Sequence, residues 1–457
     1  MTNVAVDAYL QDSSGYHGAA ERAFLPADLK ELREVVQASA TAGIPLTVAG
    51  AGTGLTGARV PHGGTVVSLD RFRNIEIKAG RARCGAGVIL KDLHAAAAQN
   101  RQFFGPNPTE DSAAIGGIIA TNAGGARSFH YGSVRRHVLA LEVTFMDGRT
   151  ERFERGDAVD FAFTPVRLPE TTKNAAGYFL QPGLEWVDLL AGSEGTLGIV
   201  TEAELQLFPE PPAILSGVVF FPSDDLAFGA VKAWRATPEL RLLEFLDEKA
   251  LALLRAPYPE IPKMARAALL IEQNLRSEED EQVDTWAERL QAQQAFEQAS
   301  WFGFRAADRE RFRKLRHALP VMVVDMVRRN GFPKFGTDYS VPLQHERQLH
   351  EFYKRRCEEV TRGQYTIFGH AGDANNHVNL LPSTTEQAKQ GEALIDEFAD
   401  FVISLGGTVA AEHGIGKLKA GLLRRMYSAG EIDAMKAVKK ELDPHWLLGQ
   451  GTIFEAQ

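Results

Sequence analysis

The sequence predicts a two-domain α+β protein, and three observations lead there. The chain has 457 residues, more than one ordinary hydrophobic core organises. Its first half sets short strands and short helices between many glycine-rich loops. A stiff run, Phe208-Pro209-Glu210-Pro211-Pro212, then interrupts the pattern. The boundary is placed there, between residues 1–212 and 213–457.

Composition narrows the class. Apolar residues make up 44% and charged residues 24%, as in ordinary globular proteins. The net charge is -9 and no dense Lys/Arg run occurs, which argues against a nucleic-acid partner. Met1 to Gly18 is polar and lacks the basic start and apolar run of a signal peptide. No run of about eighteen apolar residues exists to span a membrane. The expected compartment is the cytoplasm, with peripheral association at the inner membrane left open. Cys84 and Cys357 stand alone, so neither an iron–sulfur cluster nor a CxxC pair is available. Electron transfer in such a chain needs a bound organic cofactor.

Taken in order, Pro26 to Ala42 has helical spacing of Leu29, Leu32, Val35, Val36 and Ala40, stopped by Gly43. A strand, Pro45 to Ala49, runs into Gly50-Ala51-Gly52-Thr53-Gly54-Leu55-Thr56-Gly57. Such a loop can turn successive backbone N–H groups inward as an anion nest, with Thr53 and Thr56 adding hydroxyls, and a pyrophosphate is its natural guest. Gly52, Gly54 and Gly57 also fit G-x-G-x-x-G, with Asp70 near the distance of a ribose-binding acid. That fingerprint requires a helix straight after the glycines. Pro61, Gly63, Gly64 and a strand from Thr65 to Leu69 follow instead, so the dinucleotide fold fails.

Further glycine loops come after a strand and turn at 80–87 and a helix from Val88 to Gln99. They are Phe104-Gly105-Pro106-Asn107-Pro108, the helix start at Ile115 with its exit Asn122-Ala123-Gly124-Gly125, and Tyr131-Gly132-Ser133. A strand from Leu141 to Met146 and the run from Leu190 to Val200 complete the half. One such loop is ordinarily structural. Several in one domain suggest backbone wrapped closely around a long ligand.

In the second half, Leu215–Phe221, Leu240–Leu246 and Ala267–Glu272 read as strands. Asp224–Ala236, Glu278–Gln298 and Arg305–Val327 read as helices, the last expected to break at Pro320. Near the end, Gly369-His370-Ala371-Gly372-Asp373-Ala374-Asn375-Asn376-His377 reads as strand, loop and returning strand, bringing two imidazoles to one edge. Two ligands are too few for a stable metal site. Gly406 to Gly416 reads as a strand ending in Glu412-His413 and a glycine bend. On a strand these neighbours face opposite ways. Glu412 is therefore expected as third ligand, and His413 as a separate group beside the metal. Two histidines and a glutamate with an open position form a catalytic arrangement. Any one of the four alone is ordinarily a turn or surface residue. All four in glycine-rich bends after apolar strands point to a site.

The segments AGAGTGLTG, IGGIIATNAGG, YG and GSEGTLGIV, in this order, resemble the FAD domain of the vanillyl-alcohol-oxidase and p-cresol-methylhydroxylase superfamily. GHAGDANNH and EHGIGK resemble the flavin-dependent D-2-hydroxy acid dehydrogenases within it, which include D-lactate and D-2-hydroxyglutarate dehydrogenases and the flavoprotein subunit of glycolate oxidase. The resemblance implies a two-part FAD-binding domain and an antiparallel-sheet α+β cap, with the C-terminal segment returning to the FAD domain. It implies FAD at Gly50, Gly52, Thr53, Gly54, Leu55 and Gly57, at Pro106, and at Gly116, Gly117, Thr121, Asn122 and Gly124. Tyr131 and Gly132, and Glu194, Gly195, Gly198 and Ile199, complete the expected contacts. The Gly50–Gly57 loop has no histidine, so FAD is expected without a covalent bond.

The same resemblance implies a divalent metal, zinc or manganese, on His370, His377 and Glu412, with His413 as proton acceptor. Arg316 and Lys334 are the matches for the pair that binds the substrate carboxylate. The implied reaction oxidises a 2-hydroxy acid to its 2-oxo acid by hydride transfer to flavin N5. The acceptor would be a quinone, a cytochrome, an electron-transferring flavoprotein or a partner subunit. Asn376, where the family often has an apolar residue, is expected to alter substrate choice. The rivals are a flavin-free metallohydrolase, which leaves the glycine loops unexplained, and a non-catalytic subunit relaying electrons, which needs neither metal nor base.

Overall fold

The structure, a computed structural model, describes residues 3–455. Its first sheet has four strands in the order Asn3–Val4, Arg22–Phe24, Thr65–Ser68, Leu46–Ala49. Thr65–Ser68 runs parallel to both neighbours and is buried throughout. Helix Leu29–Ala42 covers this sheet with Leu32, Val35 and Val36. Asp28 caps it by accepting the Glu31 N–H, and Gly43 ends it at φ 63°. The second sheet is antiparallel, in the order Ile75–Lys78, Arg81–Gly85, Ile199–Gln206, Val138–Thr144, Thr150–Glu154. Ile199 and Met146 share one apolar cluster with Leu46 and Val67, so the two sheets pack as one body.

The third sheet has seven strands, in the order Trp301–Gly303, Ala213–Phe221, Ala267–Leu275, Leu240–Leu246, Tyr365–His370, Asn375–Leu380, Phe335–Gly336. Every pair in it is antiparallel. The expected α+β architecture, a two-part first unit and an antiparallel cap, is thus observed. After Glu412 the chain goes back to the first sheets. The Leu46 N–H donates to Leu447 O at 2.7 Å, and Leu46 and Leu448 pair in parallel. Buried Lys439 donates to Thr196 O and Leu448 O and pairs with Asp443.

Two local expectations are corrected. Helix Ala306–Asn330 runs straight through Pro320. The amide bond that proline removes falls on the carbonyl four residues earlier, at Arg316, and packing of Phe312, Leu315, Leu319 and Val323 holds the helix on the sheet. The stretch 406–411 is not a strand but a single bridge, Thr408 to Ser340. Just beyond it, the Asp338 carboxylate accepts the N–H groups of Glu412 (3.3 Å) and His413 (2.9 Å) and curls the backbone there.

Candidate active site

Strands Tyr365–His370 and Asn375–Leu380 form a hairpin in which Phe368 faces His377 and His370 faces Asn375. Strand alternation puts these four residues on one face of the sheet. Gly369 makes the pairing possible, because a Cβ there would stand 2.8 Å from Asn375 O. Asn376 falls on the other face, its amide 3.5 Å from Glu346. The expectation that Asn376 shapes substrate choice is therefore corrected, for a side chain one register position from a ligand points away from it. Arg235 secures the turn by donating to the carbonyls of Ala371 and Gly372.

On the facing side, His370 Nε2 lies 3.0 Å and His377 Nε2 3.5 Å from Glu412 Oε1. The ligand atoms of these three residues fall within 4.8 Å of one another. His377 Nδ1 donates to Thr337 O at 2.9 Å, and Glu244 takes His370 Nδ1. Each ring thus offers Nε2 inward, the donor set a divalent ion uses. His413 stacks on His377 at 5.4 Å with its Nε2 3.9 Å from Glu412 Oε1. Its Nδ1 is 3.6 Å from Asp338. Glu412 and His413 do not face opposite ways as a strand would place them. The curl at Asp338 and the left-handed Gly414 (φ 77°) bring both to one centre.

Charge balance at this centre is set by burial and by close partners. Burial works against charge on His370, but Glu244 and Glu412 outweigh it and pull the imidazole up to about 9. Burial also disfavours the Glu412 carboxylate, yet His370 and Lys173 hold it well below the usual range. Lys173 has no exposed side-chain surface; its Nζ donates to Glu412 Oε2 at 2.8 Å and lies 3.5 Å from Asp373. His413 goes the other way. Burial pushes it down to about 4 against the pull of Asp338, so its ring is neutral and able to accept a proton at pH 7.

Arg316 reaches the same face from helix Ala306–Asn330. Its Nε donates to Glu244, its guanidinium lies 5.0 Å from the Phe368 ring centre, and its buried Nη1 has no partner. Lys334 Nζ donates to Asn379 Oδ1 at 3.1 Å, and the buried Asn379 Nδ2 is likewise unpartnered. Asn379 lies two residues along from His377, on its face.

The glycine loops of the first half close on this centre. Thr56 Oγ1 donates to His413 O at 3.3 Å, and Thr56 O accepts the Lys417 N–H at 2.9 Å. Among the described residues, no hydrogen bond takes up the N–H groups of Gly52, Thr53, Gly54 or Leu55. Gly52 (φ 82°) and Gly57 (φ 76°) bend the loop, and Arg59 braces it through Gly50 O. That is a nest of free donors, as a pyrophosphate requires. Gly117 has open space at its Cβ position, whereas a Cβ on Gly116 would meet Ala86 at 2.8 Å. Gly124 admits Glu412, whose Oε2 would stand 2.6 Å from a Cβ there. Thr121 donates to Gly117 O, Asn122 (φ 48°) accepts the Arg135 N–H, and Tyr131 OH accepts from Asn274. Gly132 and Gly195 are left-handed, a Cβ on Gly198 would meet Val143 at 2.5 Å, and Ile199 is core. The Glu194 carboxylate faces inward, accepting the N–H groups of Ile415 (2.7 Å) and Gly416 (2.8 Å).

Sequence reading missed Glu244, Asp338 and Lys173. The first is the one acid in a mostly apolar strand, LRLLEFL, which is a readable signal. Lys173, in a run of small polar residues, carries none.

Comparison with known proteins agrees with this layout. A family model described as the FAD-linked oxidase C-terminal domain matches residues 210–453, and an FAD binding domain matches 20–154. The chain is 30% identical to a D-2-hydroxyglutarate dehydrogenase of Xanthomonas citri, over 94% of this chain and 88% of that one. It is 29% identical to a D-lactate dehydrogenase of Archaeoglobus fulgidus (94% and 90% covered) and to the glycolate oxidase subunit GlcD of Bacillus subtilis (96% and 90%). Among solved structures, alkyldihydroxyacetonephosphate synthase shares the fold with a TM-score of 0.68 at 15% identity, over 94% of this chain and 77% of that one. The chain therefore belongs to the FAD-linked oxidases, in the branch that holds the flavin-dependent D-2-hydroxy acid dehydrogenases, and is an FAD-linked enzyme.

Proposed function

We propose that this enzyme oxidises a D-2-hydroxy acid, such as D-lactate, glycolate or D-2-hydroxyglutarate, to the 2-oxo acid. The observation that carries the reading is the convergence of His370, His377, Glu412 and His413 beside an unpartnered guanidinium nitrogen of Arg316. FAD, held by the free N–H groups of the Gly50–Gly57 loop and by the loops at 116–124, 131–132 and 194–199, supplies the two-electron sink, and a divalent ion, zinc or manganese, on His370, His377 and Glu412 supplies Lewis acidity that lowers a hydroxyl pKa. Residues 1–212 form the flavin domain and 213–457 the cap, whose segment after Glu412 returns to the flavin domain.

The protein's own groups do the rest. His413, neutral at pH 7, accepts the hydroxyl proton at Nε2 while Asp338 steadies its Nδ1 side. Arg316, with Lys334, holds the carboxylate so that C2 faces the flavin. Electrons leave to a quinone, a cytochrome, an electron-transferring flavoprotein or a partner subunit. No helix of the described residues is long and apolar enough to cross a membrane, which fits a cytoplasmic or peripheral enzyme. The test is anaerobic bleaching of the flavin by a panel of D- and L-2-hydroxy acids. Bleaching by a D-acid or glycolate supports the reading, and no bleaching by any of them in the flavin- and metal-loaded protein rejects it.

A further inference from the structure

Glu244 has no role in the reaction as proposed above, yet it touches two members of the site. It lies on strand Leu240–Leu246, whose Phe245 and Leu246 pair with Gly369 and Phe368 just before His370. Its carboxylate is fully enclosed. One oxygen, Oε1, meets His370 Nδ1, and the other, Oε2, meets Arg316 Nε. An ionised carboxylate only accepts hydrogen bonds. His370 must therefore carry a proton on Nδ1, which leaves Nε2, directed at Glu412 and His377, as the nitrogen that would take a metal ion in place of its own proton. The same logic holds Arg316 by Nε, so the Nη1 edge, buried and without a partner, stays open. His377 gets its orientation from the Thr337 carbonyl and has no such link.

We propose that Glu244 is the positioning residue that aligns both halves of the substrate site at once: it fixes His370 with Nε2 aimed at the metal, and it turns the free edge of Arg316 toward the substrate anion. The inference rests on the proposed metal site. A residue that merely filled space or neutralised charge would not tie the two functions together. Glu244 does, because one rigid carboxylate plane sets the directions of both partners.

The test compares wild type with Glu244→Gln, both loaded with FAD. Glutamine has the same shape but one donor in place of an acceptor. It must either present N–H to His370 Nδ1, reversing the tautomer, or present N–H to Arg316 Nε–H and push the guanidinium away. Zinc and manganese affinities are measured by chelator competition, and oxalate affinity by the flavin difference spectrum. Glu244→Gln should keep full flavin occupancy, lose roughly 10–100-fold in metal affinity, and bind oxalate more weakly even when metal is saturating. Unchanged metal affinity together with unchanged oxalate affinity overturns the proposal. A loss of metal affinity alone also overturns it, since the arginine half would then be independent. If wild type itself binds no metal, the reading of the metal site fails and this inference fails with it. Should the variant not fold, ¹⁵N-imidazole spectra of zinc-loaded wild type decide. They should show His370 metal-bound through Nε2 with Nδ1 protonated, and the reverse tautomer overturns the proposal.

Discussion

Lys173→Met probes the least expected member of the centre. The lysine has no exposed side-chain surface, donates to Glu412 Oε2 at 2.8 Å, and is the one ion-pair partner of Asp373 among the described residues. Methionine is of similar length and fits the same slot without charge. Breaking a buried pair from one side typically costs about 3–5 kcal/mol. Here the lower end applies, because Glu412 keeps His370 and only Asp373 is stranded. The expected destabilisation is thus about 3 kcal/mol near neutral pH. Burial already raises the Asp373 carboxyl, against the opposing charge of Lys173, and the variant raises it further. A carboxyl with a raised folded pKa gives stability that is present below its unfolded pKa and lost as pH rises through the folded one. The deficit of the variant should therefore be larger at pH 8 than at pH 5. Urea unfolding of the metal-free proteins, followed by circular dichroism and tryptophan fluorescence, reads both quantities. A deficit under about 1 kcal/mol at pH 8, the range of an exposed pair, would refute the claim that this lysine holds the centre together.

Other outcomes follow from the same geometry. His413→Asn should retain metal and FAD yet slow anaerobic flavin reduction about 100- to 10,000-fold, the usual effect of losing a general base, and higher pH should partly restore it. His370→Ala and His377→Ala should each lose metal but keep a normal flavin spectrum, because the free N–H groups lie in the Gly50–Gly57 loop. Gly57→Val should abolish flavin loading, since φ is 76° and a Cβ would press on Tyr16 at 3.3 Å; full flavin occupancy in a folded variant would move the nest elsewhere. Burial raises the Glu194 carboxyl from 4.5 to about 7, against the N–H bonds from Ile415 and Gly416. Wild type should therefore lose stability relative to Glu194→Gln, by up to about 3 kcal/mol, as pH climbs from about 4.5 to 7, with no further divergence above. Paired urea midpoints across that range check it.

Much of this was legible in the sequence, for physical reasons that differ by residue. The helix ending at Ala42 announced itself through the spacing of Leu29, Leu32, Val35 and Val36 and through Gly43, which act within a few residues of one another. Strand Leu240–Leu246 was readable from its apolar run, and the His370–His377 hairpin from turn residues between apolar flanks. The failures are tertiary. Pro320 looks like a break because a lone helix would break there, while packing on the sheet holds this one together. The run 406–411 has strand composition but makes only one bridge, and just after it a distant carboxylate, Asp338, takes the amides of Glu412 and His413 and curls the chain. Glu412 and His413 were singled out for their chemistry, yet the alternation used to separate them does not exist in the chain. Lys173 could not be found at all, since its partners Glu412 and Asp373 are far away along the sequence.

The return of the last segment to the first sheet bears on how the protein is made. Residues emerge from the ribosome in order, and Leu46 appears long before Leu447 and Leu448, which complete its edge. The loop after Leu46–Ala49 is in the same position, because Thr56 is held by the Lys417 N–H and bonds His413 O. During synthesis the first domain therefore waits with an open strand edge and an untethered glycine loop until almost the entire chain is out. Contacts of such long sequence separation form slowly, and an exposed edge invites wrong pairing meanwhile. The oxidising centre, assembled from both ends of the chain, is complete only in a finished molecule.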